Sequence, residues 1–148
     1  MKKTSIWLVA SAVFVLGAVP NAQAGECSNA SLKGAYGFLD SHIAVPAGTP
    51  FTVLGRWYFD GKGNFTNTLT FNINGTVTTG ADAGTYTVNA DCTGTIFILG
   101  GAGTDEIVIV AGGSEFYSLN SSLPPGFPAL ATTFSVAKKQ FPDDERRR

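Results

Sequence analysis

Residues 65–73 read "FTNTLTFNI". Phe65, Leu69, Phe71 and Ile73 fall on one parity, and Thr66, Thr68, Thr70 and Asn72 on the other. A repeat of two is the signature of an extended chain, whose side chains point alternately to opposite faces. The stretch therefore predicts a strand with one apolar face and one face of hydroxyls and amides. Its flanks say how it is joined to its neighbours. Upstream, "YFDGKGNF" (58–65) carries Asp60-Gly61 followed by Lys62-Gly63, and downstream Asn74-Gly75 follows Ile73 directly. Both are hairpin signals, because the tight turns between antiparallel strands need the positive φ that glycine and asparagine tolerate.

The same grammar continues along the chain. "GTYTVN" (84–89) alternates, with Tyr86 and Val88 on one side, and "AGGSEF" (111–116) supplies another turn. Almost nothing after Gly25 reads as helix. Strands are predicted at 33–44, 51–60, 64–73, 75–80, 84–90, 94–100, 105–111, 114–120 and 130–138. In "FILGGAGTDEIVIV" (97–110), Ile107 to Val110 is continuously apolar, which predicts cover on both faces or contact with a ligand or partner. "NSSLPPGFPAL" (120–130) is a proline-rich loop, since its prolines cannot lie in a central strand. Successive hairpin-linked strands form an up-and-down meander, and a meander of about eight strands removes its edges by closing. The expected fold class is all-β, an antiparallel up-and-down β-barrel.

The chain has 148 residues with a net charge of −1. Met1-Lys2-Lys3, the uncharged run "IWLVASAVFVLGAV" and Ala22-Gln23-Ala24 follow the three-part pattern of a secretory signal peptide. The apolar run is shorter than the ~20 residues of a spanning helix. The expected organisation is a signal peptide over 1–24, one barrel domain over 25–138 and a charged tail over 139–148, with a periplasmic or extracellular destination and no transmembrane segment in the mature chain. Without Lys2 and Lys3, 8 basic residues face 11 acidic ones, which is no electrostatic footprint for nucleic acid.

Cys27 and Cys92 are the two cysteines. An exported chain meets an oxidising compartment, where disulfides persist, whereas a metal site would want more ligands than these and the single His42 supply. A Cys27–Cys92 bridge is expected, closing a loop worth ~4 kcal/mol in the chain-entropy view.

Three segments in order, "CSNASLKGAYGF" (27–38), "FDGKGNF" (59–65) and "GTYTVNADCTGT" (84–95), resemble a group of small exported bacterial proteins with calycin-like or allene-oxide-cyclase-like barrels. The resemblance covers about residues 27–138. Gly34-Ala35-Tyr36 stands where lipocalins carry a Gly-x-Trp signature, with Tyr36 in place of Trp. The likeness implies a barrel with an apolar interior and a pocket, and it carries no catalytic residue to this chain.

Candidates for chemistry are few. Tyr36, Phe38, Asp40 and His42 share one parity of the first strand. If the aromatic half points inward, Asp40 and His42 lie near one mouth, where the carboxylate would orient the imidazole for proton transfer or for gripping a ligand. They are weak catalytic candidates, since the pair also reads as a solvated strand end and no Gly-x-Ser-x-Gly motif is present. Arg56 shares a parity with Leu54 and Tyr58. It is either turned inward against Asp40 or Glu106 to clamp an anion, or turned outward with its stem over a ring. Among the aromatics Tyr36, Phe38, Trp57, Phe65, Phe71, Phe97 and Phe134, most are expected in the core. Tyr36, Phe38, Arg56, Trp57 and Phe71 are the expected ligand-binding residues. Asp82, Asp91, Asp105 and Glu106 are placed in or beside turns, without the spacing of a calcium loop. No metal site and no cofactor are expected. The expectation is a barrel that binds a hydrophobic small molecule, set against a barrel enzyme of cyclase or isomerase type and a non-catalytic cell-surface or structural protein.

Overall fold

The structure, a computed structural model, describes residues 26–44, 48–123, 130–131 and 134–141; the side chains of 42–44 and 130–131 fall outside that description. The segment read as a signal peptide, the run of prolines at 124–128 and residues 142–148 of the charged tail lie outside the described residues.

Nine strands follow one another: β1 (Lys33–Ala44), β2 (Thr49–Asp60), β3 (Asn64–Ile73), β4 (Thr76–Val88), β5 (Thr93–Ile98), β6 (Gly103–Val110), β7 (Glu115–Ser122), β8 (Leu130–Ala131) and β9 (Phe134–Lys139). Each of β1 to β6 pairs antiparallel with the next, β7 pairs with β9, and β9 returns to β1. Eight strands thus close a calycin-like antiparallel barrel, and the two residues of β8 add a short pairing to Ile43 and Ala44.

The hairpins form where the turn chemistry demands. Asn74 and Gly75 both have positive φ, at 48° and 87°, the backbone of a two-residue turn whose twist matches its strands. Asp60 holds the β2–β3 turn by accepting from the Lys62 and Asn64 amides at 2.6 and 3.0 Å, and from Asn64 Nδ2 at 2.7 Å. These donors pull its carboxyl down to about 2.

One sequence expectation fails at β4, where 75–80 and 84–90 were predicted as separate strands. Thr76–Val88 runs unbroken through Gly80 and Gly84. These glycines are not turns but seats for aromatic rings. A Cβ on Gly84 would stand 2.0 Å from the Phe97 carbonyl oxygen and 2.8 Å from the Phe65 ring, and one on Gly80 would stand 3.2 Å from Phe71. Gly55 makes the same room for Phe38. Of the two expectations for Ile107–Val110, cover on both faces fails. Ile107 and Ile109 are buried, while Val108 faces outward, so only one face is covered.

The interior is apolar. Phe59 sits at its centre, with ring centroids of Tyr36, Tyr86 and Phe116 at 5.6, 5.0 and 5.6 Å in edge-to-face contact and Trp57 stacked at 5.9 Å. Such pairings add to the burial of the rings themselves. Phe134, expected in the core, is instead on the outer surface at 66% exposure.

The segment before β1 plugs one end. A 3-10 turn at Asn29–Ser31 leads to Leu32, which is fully buried. Tyr86 Oη donates to the carbonyls of Asn29 and Leu32, each at 2.9 Å, and the Val88 amide donates to Asn29 Oδ1 at 2.8 Å. Cys27 is disulfide-bonded to Cys92 with Cα atoms 4.9 Å apart, and its amide donates to the Ala90 carbonyl at 3.1 Å. The expected bridge is therefore present, and its place explains it: it pins the plug to the β4–β5 hairpin.

Candidate functional site

At the opposite end, where the β1–β2, β3–β4 and β5–β6 connections lie, the barrel holds an open cavity of about 270 Å³. Its apolar walls come from Phe38 of β1, Phe51 and Val53 of β2, and Leu69 and Phe71 of β3, with Trp57 reaching it from the plug-side half of β2. Phe51 and Phe71 pack at 5.8 Å between centroids, and Phe38 and Trp57 at 5.7 Å. Trp57 bridges cavity and closed core, contacting Phe65 edge-to-face at 4.8 Å.

The cavity is not wholly apolar. Asp40, Asp82 and Asp105 line it from β1, β4 and β6, together with Asn67, Asn120 and Ser122. Strand register places the amides opposite the acids. Asn67 is the cross-strand partner of Asp82, and Asn120 of Asp105. Asn120 Nδ2 donates to Asp105 Oδ1, and the Asn67 side chain is bonded to Asp82 as well as accepting from its amide at 3.1 Å. Asp40 is hydrogen-bonded to Ser135 of β9.

Burial dominates the ionisation of all three. It pushes the Asp40 carboxyl up to about 6 against the opposing Ser135 bond. Asp105 also rises to about 6, from burial first, with the Asn120 bond opposing and the charges of Asp40, Asp82 and Glu106 adding to the rise. Asp82 is raised by burial, with Asn67 opposing. A charged carboxylate loses hydration when buried, so the neutral form gains. Among the described residues, no three His, Cys, Asp or Glu side chains are disposed to hold a metal ion.

The expected site residues divide. Phe38, Trp57 and Phe71 line the cavity, and Asp40 reaches it. Tyr36 does not. It is fully buried in the plugged half, where its hydroxyl donates to the Gly113 carbonyl. Arg56 is exposed on the outer face, lining a shallow groove with Leu39, Leu54 and Lys138, so it does not fix a ligand inside the barrel. The odd–even alternation of β2 dictates this, because Phe51, Val53, Trp57 and Phe59 take the interior parity. The backbone of His42 pairs with Phe51, but its side chain lies outside the described residues.

Sequence reasoning missed Asn67, Asp82 and Asp105, placing the two acids in or beside turns. The signal was parity. Asn67 is in phase with Phe65 and Leu69, and Asp105 with Ile107 and Ile109. A polar residue in phase with a buried row is either paired inside or lining a cavity.

Among the described residues, no helix is long and apolar enough to cross a membrane. No protein-family model matches the chain, and neither does any curated protein or solved structure.

Proposed function

We propose that this protein is an exported binding module whose barrel holds a small hydrophobic molecule in its open end. One observation carries the reading: a cavity of about 270 Å³ walled by Phe38, Phe51, Trp57 and Phe71 at the end opposite the plug. Ligand sites are concave, mostly apolar and supplied with a few convergent polar groups, usually of roughly 300 Å³ or more. A cavity of this size suits a compact molecule of a few rings or a short chain. The plug and the disulfide favour the same reading, because they make one end rigid and leave the other to receive a ligand. Export is supported by the disulfide and by the amino-terminal sequence pattern.

The test is titration with N-phenyl-1-naphthylamine, a neutral dye that brightens in apolar surroundings. Saturable binding of one dye per chain, lost in Leu69→Trp, is expected. Leu69→Trp fills the cavity wall without touching the plugged half. Absence of saturable binding, or binding unchanged in that variant, contradicts the reading.

A second reading, a barrel isomerase or cyclase, is favoured by the carboxyls of Asp40 and Asp105, both near 6 beside an apolar cavity. Groups so tuned can pass protons near neutral pH.

A further inference from the structure

We infer that the cavity selects ligands joining an apolar or aromatic body to a protonated amine, and that it discriminates against carboxylates such as fatty acids. The inference rests on the binding reading above and adds the chemical class of the ligand.

Every charged side chain lining the cavity among the described residues is an acid: Asp40, Asp82 and Asp105, brought from three different strands. Arg56 and Lys138 lie along the groove on the outer face and do not line the cavity. An anionic head would therefore enter a site of like charge with no counterion. An ammonium would find hydrogen-bond acceptors already in place. Asp82 Oδ1 is buried with no hydrogen-bond partner, an acceptor short of a donor. Leaving such a group unsatisfied is costly, and a bound N–H would satisfy it. Trp57 and Phe38 line the same cavity, and aromatic rings attract a cation in their own right. A bare metal ion does not fit the same description, because the acids are not disposed to share one. The geometry suits an extended organic cation whose ring lies on the aromatic walls and whose head meets the acids.

The groups that set the pH dependence face the cavity from each strand in turn. β1 presents Asp40, β4 Asp82 and β6 Asp105, while β2, β3, β5 and β7 present no titratable group to it, only aromatics, Val53, Leu69, Ile98, Asn67, Asn120 and Ser122. Glu106, on the outer face of β6, acts on Asp105 through its charge. Protonating the acids removes the attraction for an ammonium and leaves the apolar walls unchanged.

The test uses the full chain and three probes with one shared ring: tryptamine, 3-methylindole and indole-3-acetate, titrated by calorimetry at pH 7.5 and pH 5. At pH 7.5 tryptamine is expected to bind about tenfold or more tighter than indole-3-acetate, with 3-methylindole between them, as for a cation meeting partly buried acids. At pH 5 that preference is expected to shrink while 3-methylindole is unchanged. The double variant Asp82→Asn, Asp105→Asn is expected to lose the preference and keep 3-methylindole. Equal or tighter binding of indole-3-acetate, or a preference that survives the double variant, overturns the inference. Should the naphthylamine dye bind and tryptamine show no advantage, only the inference fails. Should neither the dye nor any indole bind, the binding reading fails with it.

Discussion

Asp105 shows how one side chain sets a balance between site and stability. It is 5% exposed, hydrogen-bonded to Asn120, and near three other acids whose charges push against its own. Its carboxyl stands at about 6 in the folded protein against an ordinary 3.8. A carboxyl raised on folding contributes stability that is fully present below its unfolded value and lost as pH rises through its folded one. Between pH 4 and pH 7, Asp105 and Asp40 therefore both work against the fold as pH increases. For Asp105 a shift of that size corresponds to about 2–3 kcal/mol. Urea unfolding should show the wild type losing stability from pH 4.5 to pH 7.5. Asp105→Asn should be more stable than wild type at pH 7.5 and have a flatter profile. A variant less stable than wild type at pH 7.5 would contradict this. A ligand that compensates these charges would repay the same cost, which ties the residue's instability to the ligand class inferred for it.

At the scale of the strand, alternation decides almost everything, and glycine is where reading it goes astray. The turns at 60–63 and 74–75 were legible because Asp-Gly and Asn-Gly have one economical backbone. The faces of β1, β2 and β3 were legible because their aromatics keep parity. Gly80 and Gly84 resembled turn residues, yet they are interior positions kept empty for the rings of Phe71 and Phe65, a purpose visible only once β3 and β4 are paired. Asp82 was lost with them, since a segment taken as a turn has no inward face. Asp105 was misplaced for a related reason, because it stands at the start of its strand beside Glu106 and acidic pairs commonly mark loops. The side of the sheet on which Arg56 falls followed from parity alone, but the sequence left open which parity was inside. A Cβ at Gly84 would collide with backbone as well as with a ring. Overpacked cores commonly lose roughly 1–3 kcal/mol or more, so Gly84→Ala should cost at least about 2 kcal/mol in urea unfolding, while the neighbouring outward Thr85→Ala should stay within about 0.5 kcal/mol. Similar losses for the two would refute the seating of Phe65 over Gly84.

The whole molecule is a barrel with two unlike ends. Tyr36, Phe59, Tyr86 and Phe116 fill the plugged half, and Phe38, Phe51 and Trp57 wall the cavity. Its interior is filled with apolar rings where a membrane barrel keeps a polar one, while its outer face also carries exposed apolar side chains such as Leu39, Leu54, Val77 and Leu119. The bridge between Cys27 and Cys92 spans 65 residues and fastens the plug. Because both cysteines serve one bond, Cys27→Ser and Cys92→Ser should lose the same stability, on the order of 4 kcal/mol, in denaturant unfolding. Two clearly unequal losses would argue against a single shared bridge. The plug end should suffer first, with the open end's ligand affinity falling only as the fold fails.

The claim on which the rest depends is that small apolar molecules enter the open end and no other part of the surface. The most direct measurement is a nuclear magnetic resonance titration of the isotope-labelled protein with 3-methylindole. The account predicts saturable shifts at the Trp57 indole N–H and at the amides of Phe38, Asn67, Leu69 and Asp82, with Tyr86 and Phe116 in the plugged half unmoved. Shifts confined to outward residues such as Leu39, Leu54 and Tyr117, or no saturable shift at all, would contradict it.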